Sequence, residues 1–386
     1  MNWPIKKIGE VCIVERGGSP RPIDKYITYD PHGINWIKIG DTNESMYITS
    51  TAQKIIPEGM KKSRFVKAGD FLLSNSMSFG RPYILKIDGC IHDGWLLLRD
   101  KNEVFDKRFL YYYLSSPTTY EKLHQLAVGG VVNNLNSELV RNVEVPIPSI
   151  EEQRAVSDNL DFISDLIHKR SQQLVKLDEL VKSRFVEMFG DEHSFDRWTC
   201  MTVSDVADVT VGVVIQPTQY YCENGIPAFR SLNVREMCVN DSDWVYFTED
   251  GYAKNQKSII RENDVLVVRS GAPGIACVAS AKYAGYNAVD IIIAHPCLSK
   301  INSVYLAMFT NMPHGMNQIR ARIGGAAQQH YNVSGYKAMK LMLPPLELQN
   351  HFAAFVAEVD KSKLAVKQSL EKLETLKKSL MQKYFG

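Results

Sequence analysis

The sequence predicts an α+β protein made as a pseudo-two-fold tandem repeat. Two globular domains of mixed helix and strand are each followed by a long helix, and the two helices pair as an antiparallel coiled coil. Three observations predict it. Residues 141–190 lie over 337–386 without a gap. No Gly or Pro interrupts 149–189 or 346–385. The rest of each half breaks into short apolar runs between turns rich in Gly, Pro and Asn, the pattern of short strands. The expected division is 1–148 for a first domain, 149–190 for its helix, 191–345 for a second domain and 346–386 for the second helix.

The repeat is carried by pairs such as Pro148/Pro344, Glu151/Glu347, Gln153/Gln349, Leu174/Leu370, Leu177/Leu373, Phe189/Phe385 and Gly190/Gly386. The domains match more weakly, through Trp3/Trp198, Gly17/Gly212, Pro22/Pro217 and Gly80/Gly274, and each has a two-glycine segment, Gly129-Gly130 and Gly324-Gly325. Fixed-period self-similarity means a repeated structural unit. Divergence concentrated in the domains predicts a common scaffold with two unlike heads.

Ser149 and Glu152 spell a capping box, in which each side chain satisfies the other residue's backbone N–H at a helix start, and Gly190 marks a stop. Apolar residues at alternating steps of three and four form a coiled-coil seam: Leu160, Ile163, Ile167, Leu174, Leu177 and Val181 in the first helix, and Val356, Val359, Val366, Leu370, Leu373 and Leu380 in the second. Arg170, Arg184, Lys363 and Lys377 interrupt the seams at different heights. The alternative is that each helix packs only on its own domain. Roughly 37 residues at a rise of 1.5 Å make about 55 Å, longer than a small domain is wide, which favours pairing. Leu166, Leu180 and Leu376 lie off the seam and point to further helices from a partner.

In the domains, Phe71–Ser74, 95–98, Val265–Val268 and 290–294 read as strands, and helices begin near Phe109 and Tyr305. The net charge is only +2, but its distribution matters more, because 291–346 holds no acidic residue while carrying Lys300, Arg320, Arg322, Lys337 and Lys340. Arg320, Arg322, Gln328, Gln329 and His330 offer guanidinium, amide and imidazole donors around the second glycine pair, and Asn133 and Asn134 offer amides at the first. Such groups contact phosphates and read base edges in DNA. Further candidates fall on two aligned segments, Lys38, Asp41 and Asn43 against Arg230, Asn233 and Arg235, with Ser74, Asn75, Ser76 and Arg81 set beside Arg269 and Ser270. The same residue types also serve plain turn chemistry.

Catalytic motifs are missing. There is no Gly-x-Gly, P-loop, Gly-x-Ser-x-Gly or His-Glu-x-x-His, and no Asn/Asp-Pro-Pro-aromatic tetrapeptide or Asp/Glu-x-Lys core. Seven scattered cysteines form no Cys-x-x-Cys pair, so no metal site is spelled out, and reduced thiols of a cytoplasmic protein are expected. No signal-like start or membrane-length apolar run is present. A binding protein without catalytic residues is expected.

Val145-Pro146-Ile147-Pro148-Ser149-Ile150-Glu151-Glu152-Gln153 and its second copy, Leu343-Pro344-Pro345-Leu346-Glu347-Leu348-Gln349, are similar to the Pro-hydrophobic-Pro…Glu-Gln signature of the specificity subunits of type I restriction–modification systems. Leu348 departs from it, standing where the pattern has Glu. The resemblance spans the whole chain. It implies two target recognition domains separated by antiparallel helices, each reading one half of a split, asymmetric duplex DNA target. It also implies two modification (methyltransferase) subunits as partners, with restriction subunits joining. S-adenosylmethionine, ATP and Mg are then expected on those partners only, with no cofactor on this chain and no membrane. A stand-alone methyltransferase or nuclease and a coiled-coil protein-interaction adaptor are the alternatives.

Overall fold

The computed structural model describes residues 3–75, 80–128, 135–323 and 330–386. The chain forms two compact units, 1–171 together with 368–386, and 172–367. These differ from the linear division, because each unit takes part of both long helices.

In the first unit, strand Ile5–Lys7 pairs antiparallel with Glu144–Pro146, which closes the two ends of the domain on each other. Two five-stranded sheets form the body. In one, Trp95–Asp100 lies between Cys12–Arg16 and Phe71–Ser74. Its residues Trp95, Leu96, Leu97 and Leu98 are fully buried, as an unbroken apolar run requires when both faces of a strand are covered. Leu96 and Leu98 join the core around helix Lys107–Ser115, while Trp95 and Leu97 face Ile37, Val66 and Tyr83. In the other sheet Ile34–Ile37 runs parallel to Gly89–Ile91 and antiparallel to Gln53–Ile55. Asp106 caps helix Lys107–Ser115, its carboxylate accepting the N–H groups of Arg108 and Phe109.

The second unit repeats this plan with two four-stranded sheets. Thr199–Thr202 pairs with Lys340–Leu343, and Ile291–Pro296 lies between Ala207–Val211 and Val265–Val268. Ile226–Phe229 runs parallel to Asn287–Ala288. Asn302 caps helix Ser303–Asn311 as Asp106 caps its counterpart. The expected strands and helices are therefore present.

The long helices are α1, Ile150–Phe189, and α2, Leu346–Phe385. The capping box forms: Ser149 N–H donates to Glu152 Oε2 at 2.9 Å, and Glu152 N–H to Ser149 Oγ at 3.3 Å. Gly190 ends α1 at φ +96°, where an added Cβ would stand 2.4 Å from Ser194 Cβ; only glycine takes that conformation without strain.

In the first unit the opening of α1 lies against the close of α2. Asn159 Nδ2 donates to the Tyr384 hydroxyl at 3.3 Å, and Val156, Leu160, Met381 and Phe385 share the domain core. Phe385 packs edge-on to Phe109 and Tyr113, with ring centroids 5.4 and 5.8 Å away. In the second unit the close of α1 meets the opening of α2. Phe352 packs on Phe185 and Phe189 at 5.4 and 5.6 Å, and Lys363 Nζ lies 2.6 Å from Asp178 Oδ1. Asp178 meets Lys363 while Phe185, farther along α1, meets Phe352, farther back in α2, so the pairing is antiparallel.

Among the seam residues, Leu160, Ile163, Val181, Val356, Val359 and Val366 are buried; Ile167, Leu174, Leu177, Leu370, Leu373 and Leu380 are half-buried. A narrow seam under-describes the helix ends. There Phe185, Phe189, Phe352 and Phe385 carry the packing, because each end must cover a domain helix as well as the opposite long helix. Leu180 and Leu376 remain 47 % exposed, as do Phe162 at 65 % and Leu364 at 58 %. No helix among the described residues is long and apolar enough to cross a membrane.

Candidate nucleic-acid interface

Both units place a basic residue where the parallel central strand ends, Lys38 after Ile34–Ile37 and Arg230 after Ile226–Phe229. The residue three positions on fixes the turn. Asp41 accepts Lys38 N–H at 2.7 Å and Ala52 N–H at 2.9 Å, one on each carboxylate oxygen. Asn233 accepts Arg230 N–H at 2.9 Å and donates to the carbonyls of Ser242 at 2.8 Å and Asn240 at 3.2 Å, and it is fully buried. Asp41 and Asn233, expected as DNA contacts, thus hold backbone groups that would otherwise be unsatisfied. The basic side chains differ. Lys38 Nζ donates to Gln53 Oε1 at 2.7 Å, whereas an Arg230 Nη donates to the Asp243 carbonyl.

Beside Lys38 is a cavity of about 670 Å³ whose lining includes Arg21, Trp36, Gln53, His92 and Asp93. Burial holds the His92 imidazole below its ordinary pKa, partly opposed by Asp93, and its Nδ1 accepts Gly94 N–H at 2.7 Å. Asp93 sits below the usual carboxylate range, first because Ser19 Oγ donates to it at 2.8 Å. Arg21, 82 % exposed, lies 3.5 Å from Asp93.

A second shared device lies where Phe71–Ser74 and Val265–Val268 end. Asn75 O accepts Leu135 N–H at 3.2 Å, and Arg269 O accepts Tyr331 N–H at 2.9 Å, so the chain following each two-glycine segment returns to the same strand end. Ser74 and Asn75 are buried; Ser74 Oγ accepts Arg81 N–H at 3.0 Å and Asn75 Nδ2 donates to Asp93 O at 2.9 Å. In the second unit Arg269, Ser270 and His330 gather around Asp290. An Arg269 Nη lies 2.6 Å from Asp290 Oδ1, Ser270 Oγ donates to Asp290 Oδ2 at 2.9 Å, and Ser270 Oγ stands 2.7 Å from His330 Nδ1.

Arg81, Arg235, Arg320 and Arg322 are exposed and form no ion pair among the described residues. Arg81 shares a cavity of about 350 Å³ with Asn43, whose Oδ1 accepts Ser45 N–H at 2.8 Å. Arg320, on helix Pro313–Ile323, borders a cavity of about 330 Å³ with Gly271 and Pro273. Arg235 and Arg322 reach the carbonyls of Val234 and Ala338 at 3.4 and 3.5 Å. Ser76, Asn133, Asn134, Gln328 and Gln329 lie outside the described residues. Among the described residues no His/Cys/Asp/Glu group is placed to hold a metal ion.

Sequence reasoning missed Asp290, Trp36, Gln53, His92, Asp93 and Arg21. Only Asp290 carried a signal, an acidic residue directly before the buried run Ile291-Ile292-Ile293. The repeated glutamines, Gln153 and Gln349, have a role that their spacing does not reveal. Gln153 Oε1 accepts Asp106 N–H at 2.8 Å, and its amide donates to Val104 O and Pro148 O at 3.0 and 3.1 Å. Gln349 Oε1 accepts Asn302 N–H at 2.9 Å and its amide donates to Pro344 O at 2.8 Å. Both are fully buried, so each signature ends in a lock that ties a long helix to the cap of its domain's own helix.

The chain is 22 % identical to the type I restriction enzyme MjaIX specificity subunit of Methanocaldococcus jannaschii, over 99 % of this chain and 92 % of that one. It is 21 % identical to the MjaVIII specificity subunit of the same organism, over 98 % and 91 %. Among solved structures it is similar to a chain from work on complex assembly and conformational transition of the type I R-M system, with TM-score 0.65 and 16 % identity, covering 99 % of this chain and 97 % of that one. The type I restriction-modification system S subunit from M. genitalium gives TM-score 0.56 and 14 % identity, covering 100 % and 96 %; these two likenesses concern the fold. The profile described as type I restriction modification DNA specificity domain matches residues 1–177 and again 196–376. With both halves matched, the chain belongs to the type I restriction modification DNA specificity domain family and carries that domain twice.

Proposed function

We propose that this protein is the sequence-reading, non-catalytic subunit of a type I restriction–modification complex, and that each unit recognises one half of a bipartite, asymmetric duplex DNA target. The observation that carries this is the duplicated geometry. Equivalent basic positions, Lys38 and Arg230, stand on equivalent turns, and equivalent strand ends at Asn75 and Arg269 receive the chain leaving each two-glycine segment. The DNA-contacting set we propose is Lys38, Asn43, Arg81, Arg230, Arg235, Arg269, Ser270, Arg320, Arg322 and His330, together with Ser76, Asn133, Asn134, Gln328 and Gln329. Two modification subunits dock on the long helices, where Phe162, Leu180, Leu364 and Leu376 leave apolar surface exposed, and restriction subunits join that core. S-adenosylmethionine, ATP and Mg belong to those partners, and the complex works in the cytoplasm. A net charge of only +2 suits a reader whose phosphate contacts come largely from its partners.

The antiparallel helices act as a ruler in this reading. Inserting four residues after Gln172 and four after Gln368 adds about 6 Å of helix. The unspecified gap between half-sites should then grow by about two base pairs at roughly 3.4 Å each. Methylome sequencing of cells carrying the variant with its methyltransferase tests this, and an unchanged gap refutes it. A labelled S-adenosylmethionine assay on the purified chain alone separates the alternative of a stand-alone methyltransferase, and no turnover is expected.

A further inference from the structure

We infer that the Lys38–Gln53 pair in the first unit is a specificity element that selects guanine over adenine at one position of the target. The inference rests on the DNA-reading function proposed above and names the residues and the base. Gln53 is exposed and Lys38 half-buried. The Lys38 ammonium donates to Gln53 Oε1 at 2.7 Å, which takes up one lone pair of the amide oxygen. What the pair has left to offer is mostly donors, the two Gln53 amide hydrogens and the other ammonium hydrogens. In the major groove guanine offers two acceptors, N7 and O6, whereas adenine sets an N6 donor beside N7. A pair richer in donors than acceptors fits the first better, and sets an N–H against the N6 donor in the second.

The surroundings favour a base edge over a phosphate. The cavity beside the pair measures about 670 Å³ and its lining carries Asp24 and Asp93 as well as Arg21 and Lys38. A pocket of balanced charge has little attraction for a phosphate anion, and a carboxylate accepts from cytosine N4. The pair is also held in place. Lys38 N–H is fixed by Asp41, and Gln53 sits on a strand paired in register with Trp36, itself 2 % exposed. The second unit has Arg230 and Val245 at the matching positions, Ala228 pairing with Val245 as Trp36 pairs with Gln53. The inference therefore assigns this donor pair to one half-site only.

The test uses the full chain assembled with the methyltransferase subunits of its host, selecting from a pool of randomised DNA duplexes and sequencing what is bound. Wild type should return a two-part motif. Lys38→Met and Gln53→Ala should each reduce the preference for guanine over adenine at a single position of one half-site by roughly tenfold or more, leaving the other half-site unchanged. Arg230→Met should alter only the other half-site. Thermal unfolding of each variant, unchanged from wild type, establishes that the loss is not one of folding. An unchanged motif in both first-unit variants overturns the inference, as does a uniform weakening across all positions, which would mark a phosphate contact. A wild-type complex returning no motif sinks the DNA-reading function itself, and this inference with it.

Discussion

Gln349 offers the sharpest test of how the repeated signature works. Its side chain is fully buried and joins three segments, accepting from Asn302 N–H at 2.9 Å and donating to Pro344 O at 2.8 Å and Lys300 O at 3.4 Å. Gln349→Ala strands the Asn302 N–H and the Pro344 carbonyl, and each buried orphan costs about 1–3 kcal/mol. The 3.4 Å contact adds little. A loss of about 2–6 kcal/mol is expected, confined to the unit 172–367. Gln349→Glu keeps the shape and the acceptor but points a second acceptor at two carbonyls, and burial raises the new carboxyl's pKa above its unfolded value near 4.3. A raised folded pKa means that its contribution is fully present below the unfolded value and lost as pH rises. Gln349→Glu should therefore weaken from pH 5 to pH 8. Urea unfolding, with hydrogen exchange identifying which unit opens first, measures both variants. A Gln349→Ala loss under about 1 kcal/mol, or a Gln349→Glu variant that strengthens with pH, would refute the lock. Gln153→Ala should give the same loss in the other unit.

Three further outcomes follow from the packing. Burial holds His314 below its ordinary pKa, with its ring against Phe185 and Phe309 and its Nε2 donating to Gly190 O at 3.2 Å. The unfolded chain then binds the extra proton first, so stability of the second unit should fall as pH drops below about 6.5, and His314→Phe should flatten that slope in thermal melts at stepped pH. Lys363, 18 % exposed, is paired with the more exposed Asp178. Lys363→Leu should change stability by less than about 1 kcal/mol while Asp178→Ala costs more, because only the second leaves a half-buried ammonium with Asp360 alone, 3.4 Å away; urea titration of both decides. Gly274 stands at φ +96°, and an added Cβ would lie 2.8 Å from Ile319 Cδ1 and Met316 Sδ. Gly274→Ala should cost about 1–3 kcal/mol through the left-handed backbone, since the two side-chain ends can shift, and a neutral result in calorimetry would contradict that strain.

The fold was legible in the sequence wherever local rules and the repeat speak together. Ser149 and Glu152 are three residues apart, so their capping box can be read without tertiary information, as can the buried strands at Trp95 and Ile291. The candidate interface was less legible. Asp41 and Asn233 look like base readers by residue type, but their short side chains reach the backbone three residues back and hold the turn there. Ser74 and Asn75 are likewise drawn inward at a strand end. Gln53, Trp36, His92 and Arg21 come from four separate segments, and no spacing rule brings them to one cavity.

The doubling, the two long helices, the core strands and the family can be read from the residues alone, because each is written in periodicity, caps or near-identical segments. Folding in three dimensions is what brings Phe385 into the core around Phe109, Phe352 against Phe185 and Phe189, and Lys38 to Gln53. Each is a meeting of residues distant in the chain. Which distant apolar or polar groups find one another depends on how whole faces fit in three dimensions, and a one-dimensional pattern does not carry that information.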